Sequence, residues 1–455
     1  MADTVFSLHT NKKNVSAKIK SLPPKWQKHP VVMYARFEWR IRNNLRDSAL
    51  QVLENYSTSA THLSQPSKWA FRREALARDL MFDEEYARAY EISSKHYLET
   101  GDTYAVLEWL SGYLALEKLK NTELALKHFK NFLLSVDAPI SLGRGFYWLG
   151  RTYEQQGKMD TAKQIYQIGA DRWETYYGLL AAEKVGLTAD KTVLNTPNVS
   201  SWKEASFLTS SVFKAAKLLF SANQEVLAER FLTHLTETLS DDDVSKLVNF
   251  LEESKKPHEL VMVAKRAASQ SRVFPRPYFA IHPLVEMPQR IPPEMALAIA
   301  RRESEFYPKV ESPVGALGMM QVMPKTAREV AKRLGLRYSS ERMLSDWHYN
   351  ARIGIAYLEE LSERYEGNPI LIAAAYNAGP SRADRWIELL GDPRNPKVDL
   401  VNWVESIPFE ETRNYVMRVA ESLPNYAVRL NKKSPDSFYL YLKGSTFLPL
   451  APKSE

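Results

Sequence analysis

Among the acidic residues of this chain, Glu303 stands in the setting best suited to proton transfer. It lies near the end of Pro293-Glu-Met-Ala-Leu-Ala-Ile-Ala-Arg-Arg-Glu303-Ser, where Ala296, Ile299, Ala300, Glu303 and Phe306 recur at i, i+3, i+4, i+7 and i+10. That is the spacing of one face of an α-helix. A carboxylate on such a face is aimed into apolar surroundings, where its charged form is poorly solvated and its pKa rises. A carboxyl group that keeps its proton near neutrality can act as a general acid. The same residues also fit a structural glutamate neutralised by Arg301, Arg302 or a distant arginine, because ion pairs perturb pKa values too. The helix by itself leaves both readings open.

Other chemistries find little support. The chain has no cysteine, which excludes disulfides, thiol nucleophiles and cysteine zinc sites. Near Glu303 the histidines are chiefly His282 and His348, and neither belongs to a His-x-x-x-His or His-Glu-x-x-His pattern, so neither a metal nor any other cofactor is expected. Ser304 and His348 could form a nucleophile pair by composition alone, but no nucleophile elbow surrounds Ser304. Gly315-x-x-Gly318 lacks the third glycine and the preceding strand of a dinucleotide loop. Asp241-Asp242-Asp243 after Ser240 reads as the acidic first turn of a helix behind an N-cap, not as a cation site.

Three further segments share the region with Glu303. Ser312-Pro-Val-Gly-Ala-Leu-Gly-Met-Met-Gln321-Val-Met323-Pro324 has two glycines bracketing a short apolar run, a tight turn that feeds a helix starting at Pro324. Ala373-Ala-Ala-Tyr376-Asn377-Ala-Gly379-Pro380 ends a helix with a Gly-Pro stop. Glu405-Ser-Ile-Pro-Phe-Glu-Glu411-Thr-Arg-Asn-Tyr415 follows. In order and spacing, Glu-Ser, Gly-x-Met-Gln, Ala-Tyr-Asn-Ala-Gly and Ile-Pro-x-x-Glu-Thr-x-x-Tyr resemble the soluble lytic transglycosylases, bacterial enzymes with a goose-lysozyme-like catalytic domain. One departure is Met319, where the family commonly has Leu, a swap of similar volume.

The resemblance implies that Glu303 is a single catalytic acid/base and that Ser312, Gln321, Met323, Tyr376 and Glu411 line a saccharide cleft, with Asn377 and Tyr415 inside the same motifs. It implies cleavage of the MurNAc-β-1,4-GlcNAc bond of peptidoglycan without water, leaving 1,6-anhydro-MurNAc ends. Most glycosidases use two carboxylates. Here Glu305 falls on the wrong side of the helix and Glu311 in a turn where Glu is ordinarily solvated. A lone acid fits substrate-assisted chemistry, with the sugar's own N-acetyl group stabilising the developing cation. Ser312 could hydrogen-bond that acetyl carbonyl, or serve only as a turn residue before Pro313. Tyr376 could support Glu303 or only pack. A hydrolytic muramidase is the nearest alternative, and a non-catalytic glycan-binding or helical scaffold the more distant one.

The elements that must position these residues are mainly helical. Residues from about 30 to 270 carry helix periodicity with short polar breaks. Trp109-Leu-Ser-Gly-Tyr113 followed by Leu124-Ala-Leu-Lys-His-Phe129 is echoed by Trp148-Leu-Gly-Arg-Thr-Tyr153 followed by Thr161-Ala-Lys-Gln-Ile-Tyr166, an offset of roughly 37 to 39 residues, near the tetratricopeptide period. Helix pairs of this kind stack into an α-superhelix because a single pair cannot bury its own faces. The expected organisation is a superhelical domain over 1–272 with a sub-break near 188–202, a Pro-rich linker over 273–293, a lysozyme-like, mostly helical (α+β) catalytic domain over 294–432, and a tail over 433–455. In that tail Phe438-Tyr-Leu-Tyr-Leu442 reads as one strand or a packing arm.

With 61 Lys and Arg against 54 Asp and Glu, the net charge is +7. Such a surface favours an anionic polymer, and peptidoglycan carries carboxylates. The basic residues are spread over helices instead of clustered with aromatics, which speaks against nucleic acid. No apolar run reaches the length of a membrane span, and the first residues lack an apolar signal core. A soluble protein of the periplasm or cell envelope is expected, its signal peptide outside this chain, with cell-wall synthesis or remodelling proteins as candidate partners of the superhelix.

Overall fold

The computed structural model describes residues 1–188 and 201–444. The chain divides into two compact units, one of Met1–Asp137 with Arg144–Ile168 and one of Ala138–Gly143 with Gly169–Glu455. Most of the expected sub-break near 188–202 and the last part of the tail lie outside the described residues.

In the first unit the repeat is realised as one joint made twice. Gly112, on the helix Asp102–Tyr113, abuts the ring of Phe129 so closely that an added Cβ would sit 2.7 Å from its Cε1. Gly150 abuts Tyr166 in the same way, again at 2.7 Å. A glycine facing an aromatic lets two helices approach, and the ring fills the gap. Trp148 packs edge-on to Trp109 and stacks on Phe129, so the repeats share one aromatic core.

The second unit is also helical. Among the described residues the only β-pairing is a pair of isolated bridges, Glu311 with Leu317 and Leu317 with Val322, so the β component expected there shrinks to one turn. The Glu303 helix, Pro293–Ser304, is buried over most of its length. It packs on the Tyr415 helix, Glu410–Arg429, which also carries the Tyr376 helix, Pro369–Ala378. The Asn350 helix, Trp347–Arg364, backs the Tyr376 helix. Residues 273–293 are built into this unit: Phe279 and Ala280 are fully or nearly fully buried, His282 caps the 3₁₀ turn Pro283–Glu286, and Arg301 donates to the Tyr278 carbonyl at 2.9 Å.

The Tyr176 helix, Tyr176–Lys184, joins the same core. Its Tyr176 N–H donates to Glu421 at 2.8 Å, and Tyr177 donates to the fully buried Glu405. Residues Phe438–Leu442 form a short helix, not a strand. Ser437 caps it, and Glu183 accepts from both the Ser437 hydroxyl and the Tyr439 N–H. That local capping gives the segment intrahelical partners that an isolated strand would lack. Ser240 likewise caps Asp241–Glu253 by accepting from Asp243 N–H at 3.2 Å, which makes the three aspartates a helix start.

Candidate functional site

The Glu303 helix stops two residues earlier than its apolar stripe suggests. Glu305 and Phe306 both take left-handed backbone, φ 48° and 69°, although Phe306 remains buried. A non-glycine residue pays about 1 kcal/mol or more for this conformation. Glu303 therefore occupies the last turn of its helix, facing the Tyr376 and Tyr415 helices.

Its hydrogen-bond partner is a tyrosine. The Tyr415 hydroxyl donates to Glu303 Oε1 at 2.7 Å. Arg301 points away, toward Tyr278, and Arg302 lies over the Tyr415 ring, 5.7 Å from its centre. Burial raises the Glu303 pKa to about 7; the Tyr415 hydrogen bond and the Arg302 charge oppose that rise, and the Glu411 charge adds to it. Desolvation wins because the carboxylate has no ion-pair geometry to offset it. A carboxyl whose pKa is raised this far toward neutrality can both give and take a proton there.

The two tyrosines keep their own protons. Burial, and then the Glu303 charge, push both hydroxyls above the usual range. Tyr376 donates to the Met320 carbonyl at 2.7 Å instead of to Glu303. Glu411 and Tyr415 stand one turn apart on their helix, with Glu411 exposed. Asn377 accepts from Thr412 at 2.7 Å, tying the Tyr376 helix to the first turn of the Tyr415 helix. Glu303, Tyr376, Glu411 and Tyr415 thus converge from three helices.

The turn over 311–322 is held from several sides. Ser304 donates to the Met319 carbonyl at 2.7 Å, so this serine fastens the turn to the Glu303 helix and does not pair with His348, whose ring stacks on Trp347. Asn350, fully buried, accepts from Met320 N–H at 2.8 Å and donates to the carbonyls of Leu317 and Met343 at 2.9 and 3.1 Å. Gly318 has φ +73°, and a Cβ there would meet the Met343 carbonyl at 2.1 Å and the Asn350 amide at 2.3 Å. Gln321 is itself left-handed, φ 45°, and its amide donates to Gly318 and Val310 carbonyls at 2.8 and 3.0 Å. Such strain persists where the surroundings fix it.

Ser312 is engaged in this turn: its hydroxyl accepts from Ala316 N–H at 2.9 Å. Met323 precedes the helix Pro324–Arg333 and is 44% exposed. Neither hydrogen-bonds Glu303. The residues that sequence reasoning missed are Asn350, Thr412 and the holding role of Ser304. Asn350 offered one signal, a lone amide within the apolar pattern of its helix. Among the described residues, no cluster of His, Asp and Glu could hold a metal ion.

The chain is similar to known proteins in sequence and in fold. Residues 286–396 match the transglycosylase SLT domain. The soluble lytic murein transglycosylase of Escherichia coli K12 is 32% identical over 279 residues, which is 60% of this chain and 42% of that protein. Its counterpart in Salmonella typhimurium is 46% identical over 125 residues, 27% of this chain and 19% of the relative. The chain therefore spans less than half the length of these relatives. In fold it resembles an inactive mutant of lytic transglycosylase Slt from Pseudomonas aeruginosa, with TM-score 0.70 and 22% identity over 96% of this chain and 69% of that one. A 70 kDa soluble lytic transglycosylase in complex with bulgecin A gives TM-score 0.55 at 21% identity, covering 93% of this chain and 76% of that one. These likenesses bear out the expected fold class, a mainly α chain with a superhelix followed by a lysozyme-like domain. By its SLT segment, its relatives and its fold, the chain is similar to the soluble lytic transglycosylases.

Proposed function

We propose that this protein is a peptidoglycan lytic transglycosylase with Glu303 as its single acid/base. The observation that carries the reading is Glu303 itself, held by Tyr415 at 2.7 Å with its pKa raised to about 7. As acid, Glu303 gives its proton to the bridging oxygen of a MurNAc-β-1,4-GlcNAc bond, the C1–O bond breaks, and GlcNAc leaves with its hydroxyl. The N-acetyl carbonyl stabilises C1. As carboxylate, Glu303 then takes the proton of the MurNAc C6 hydroxyl, and O6 bonds to C1. The product is a 1,6-anhydro end, no water is consumed, and Glu303 regains its proton.

The other residues fall into roles around this step. Tyr415 keeps Glu303 oriented and stabilises its anionic form. Tyr376 fixes the Met320 carbonyl and adds a neutral hydroxyl beside the acid. Gln321, Met323, Asn377, Glu411 and Ser312 are assigned to the saccharide cleft. The domain limits 1–272, 273–293, 294–432 and 433–455 are part of the same proposal. So are a site of action in the bacterial cell envelope and a superhelix that meets glycan strands or cell-wall proteins. Among the described residues no helix is long and apolar enough to cross a membrane.

The test is mass spectrometry of products from purified peptidoglycan digested by the protein and by Glu303→Gln. Muropeptides one water lighter than their reducing counterparts, absent with the variant, are the expected result. Reducing-end products would assign a muramidase instead, and no product from either protein would assign a scaffold.

A further inference from the structure

We infer that His258, on the helix Pro257–Ala268, is a positioning residue for Glu303, holding the left-handed turn at Glu305 and Phe306 that ends the Glu303 helix. The inference rests on the reading of Glu303 as proton donor. Two successive non-glycine residues with positive φ stand immediately after Glu303-Ser304. Backbone of this kind survives only where its neighbours over-determine it.

Those neighbours come from a helix that precedes the SLT segment in the chain. His258 Nδ1 lies 2.9 Å from the Glu305 carbonyl oxygen. A carbonyl can only accept, so Nδ1 carries the proton and donates. The same ring packs 5.0 Å from that of Tyr307. Lys265, on the same face two turns further on, pairs with Glu305 Oε1 at 2.5 Å. That ion pair is partly exposed and therefore weak, which leaves the half-buried histidine as the principal anchor. On the other side, Phe306 stacks on His282 with ring centres 5.3 Å apart.

The turn governs Glu303 because the helix end is closed through it. Glu305 N–H donates to Arg301 and Tyr307 N–H to Ser304, at 3.0 and 2.9 Å. The first of those bonds spans Glu303, and the second closes the turn immediately after it. If the Glu305 carbonyl is released, the last helical turn can unwind, and the carboxyl leaves the position where Tyr415 meets it.

The experiment measures anhydro-muropeptide release by the full chain and by three variants: His258→Ala, His258→Asn, and His258→Ala combined with Glu305→Gly. We expect His258→Ala to lower kcat by at least about tenfold, the scale of a sub-ångström misplacement of a catalytic group, with KM within about twofold of the parent. His258→Asn should retain most of the parent rate, since its amide N–H reaches the position of Nδ1–H. Glu305→Gly should rescue His258→Ala, because glycine takes the left-handed conformation without strain. Should His258→Ala fail to fold, His258→Gln, whose donor sits one bond too far, replaces it with the same expected loss. Unchanged kcat in a folded variant, or a loss that is matched by His258→Asn and not recovered by Glu305→Gly, would overturn this inference alone. Absence of anhydro products from the parent protein would overturn the proposed function together with it.

Discussion

Glu303 and Tyr415 are 112 positions apart in sequence, yet their 2.7 Å contact opposes the rise that burial gives the acid's pKa. A hydrogen bond donated to the charged form lowers a carboxyl pKa. Tyr415→Phe should therefore move the alkaline limb of the pH–rate profile to higher pH, and reduce kcat about tenfold, the worth of one charge-assisted bond of about 1.5 kcal/mol. A pH series on soluble glycan checks both, and an unmoved limb would deny the coupling. Stability carries the same signature. The folded pKa of about 7 lies above the ordinary 4.5, so the folded state binds a proton that the unfolded chain has lost. The contribution is fully present below about pH 4.5 and disappears as pH rises through 7. Glu303→Gln, which cannot ionise, should melt progressively above the parent between those limits and show the widest gap at pH 8. Glu421, raised to about 7 by burial, has the same sign, so pH scans of the two Gln variants separate their shares.

The turn over 311–322 shows what elements do for the site. Four hydrogen bonds from Ser304, Asn350 and Tyr376 hold the main chain of residues 317–320, and Gln321 follows in a conformation it would not choose alone. Gly318→Ala would drive a methyl into the Met343 carbonyl and the Asn350 amide. We expect a loss of at least about 2 kcal/mol, and a melting temperature about 4–8 °C lower, with activity lost along with Gln321 geometry. Calorimetry beside product release checks this. These holding contacts explain where reading the sequence succeeds and where it stops. Helix periodicity, the Pro324 start and the Gly379 stop are local, and so are legible. Glu303, Tyr376 and Glu411 are legible by residue type within motifs. The choice of Tyr415 instead of Tyr376 as Glu303's partner depends on how three helices cross, which no local pattern encodes. Asn350 and His258 act on backbone groups, and apart from the lone amide of Asn350 in its apolar helix those partners leave no trace in residue type.

For the whole molecule, the two compact units do not follow the proline-rich stretch. Tyr176 and Tyr177 lie well before it and satisfy Glu421 and Glu405 in the core of the second unit. Truncation at residue 273 would leave those buried carboxyl groups short of donors, and such a loss costs about 1–3 kcal/mol for each group. A fragment starting at residue 169, which keeps Tyr176 and Tyr177, should therefore fold cooperatively, while one starting at residue 273 should melt at least about 10 °C lower or not fold, by the usual relation of stability to melting temperature. Circular dichroism of the two fragments decides it; equal melting would place all essential contacts after residue 273. The first unit invites a different experiment in construction. Since Gly112 with Phe129 and Gly150 with Tyr166 are the same joint, the segment between corresponding points of the two repeats is a module with matching ends. Duplicating it in frame would join each end to the partner it already has, so the chain can be lengthened in whole modules, as a ruler is extended by its own graduations.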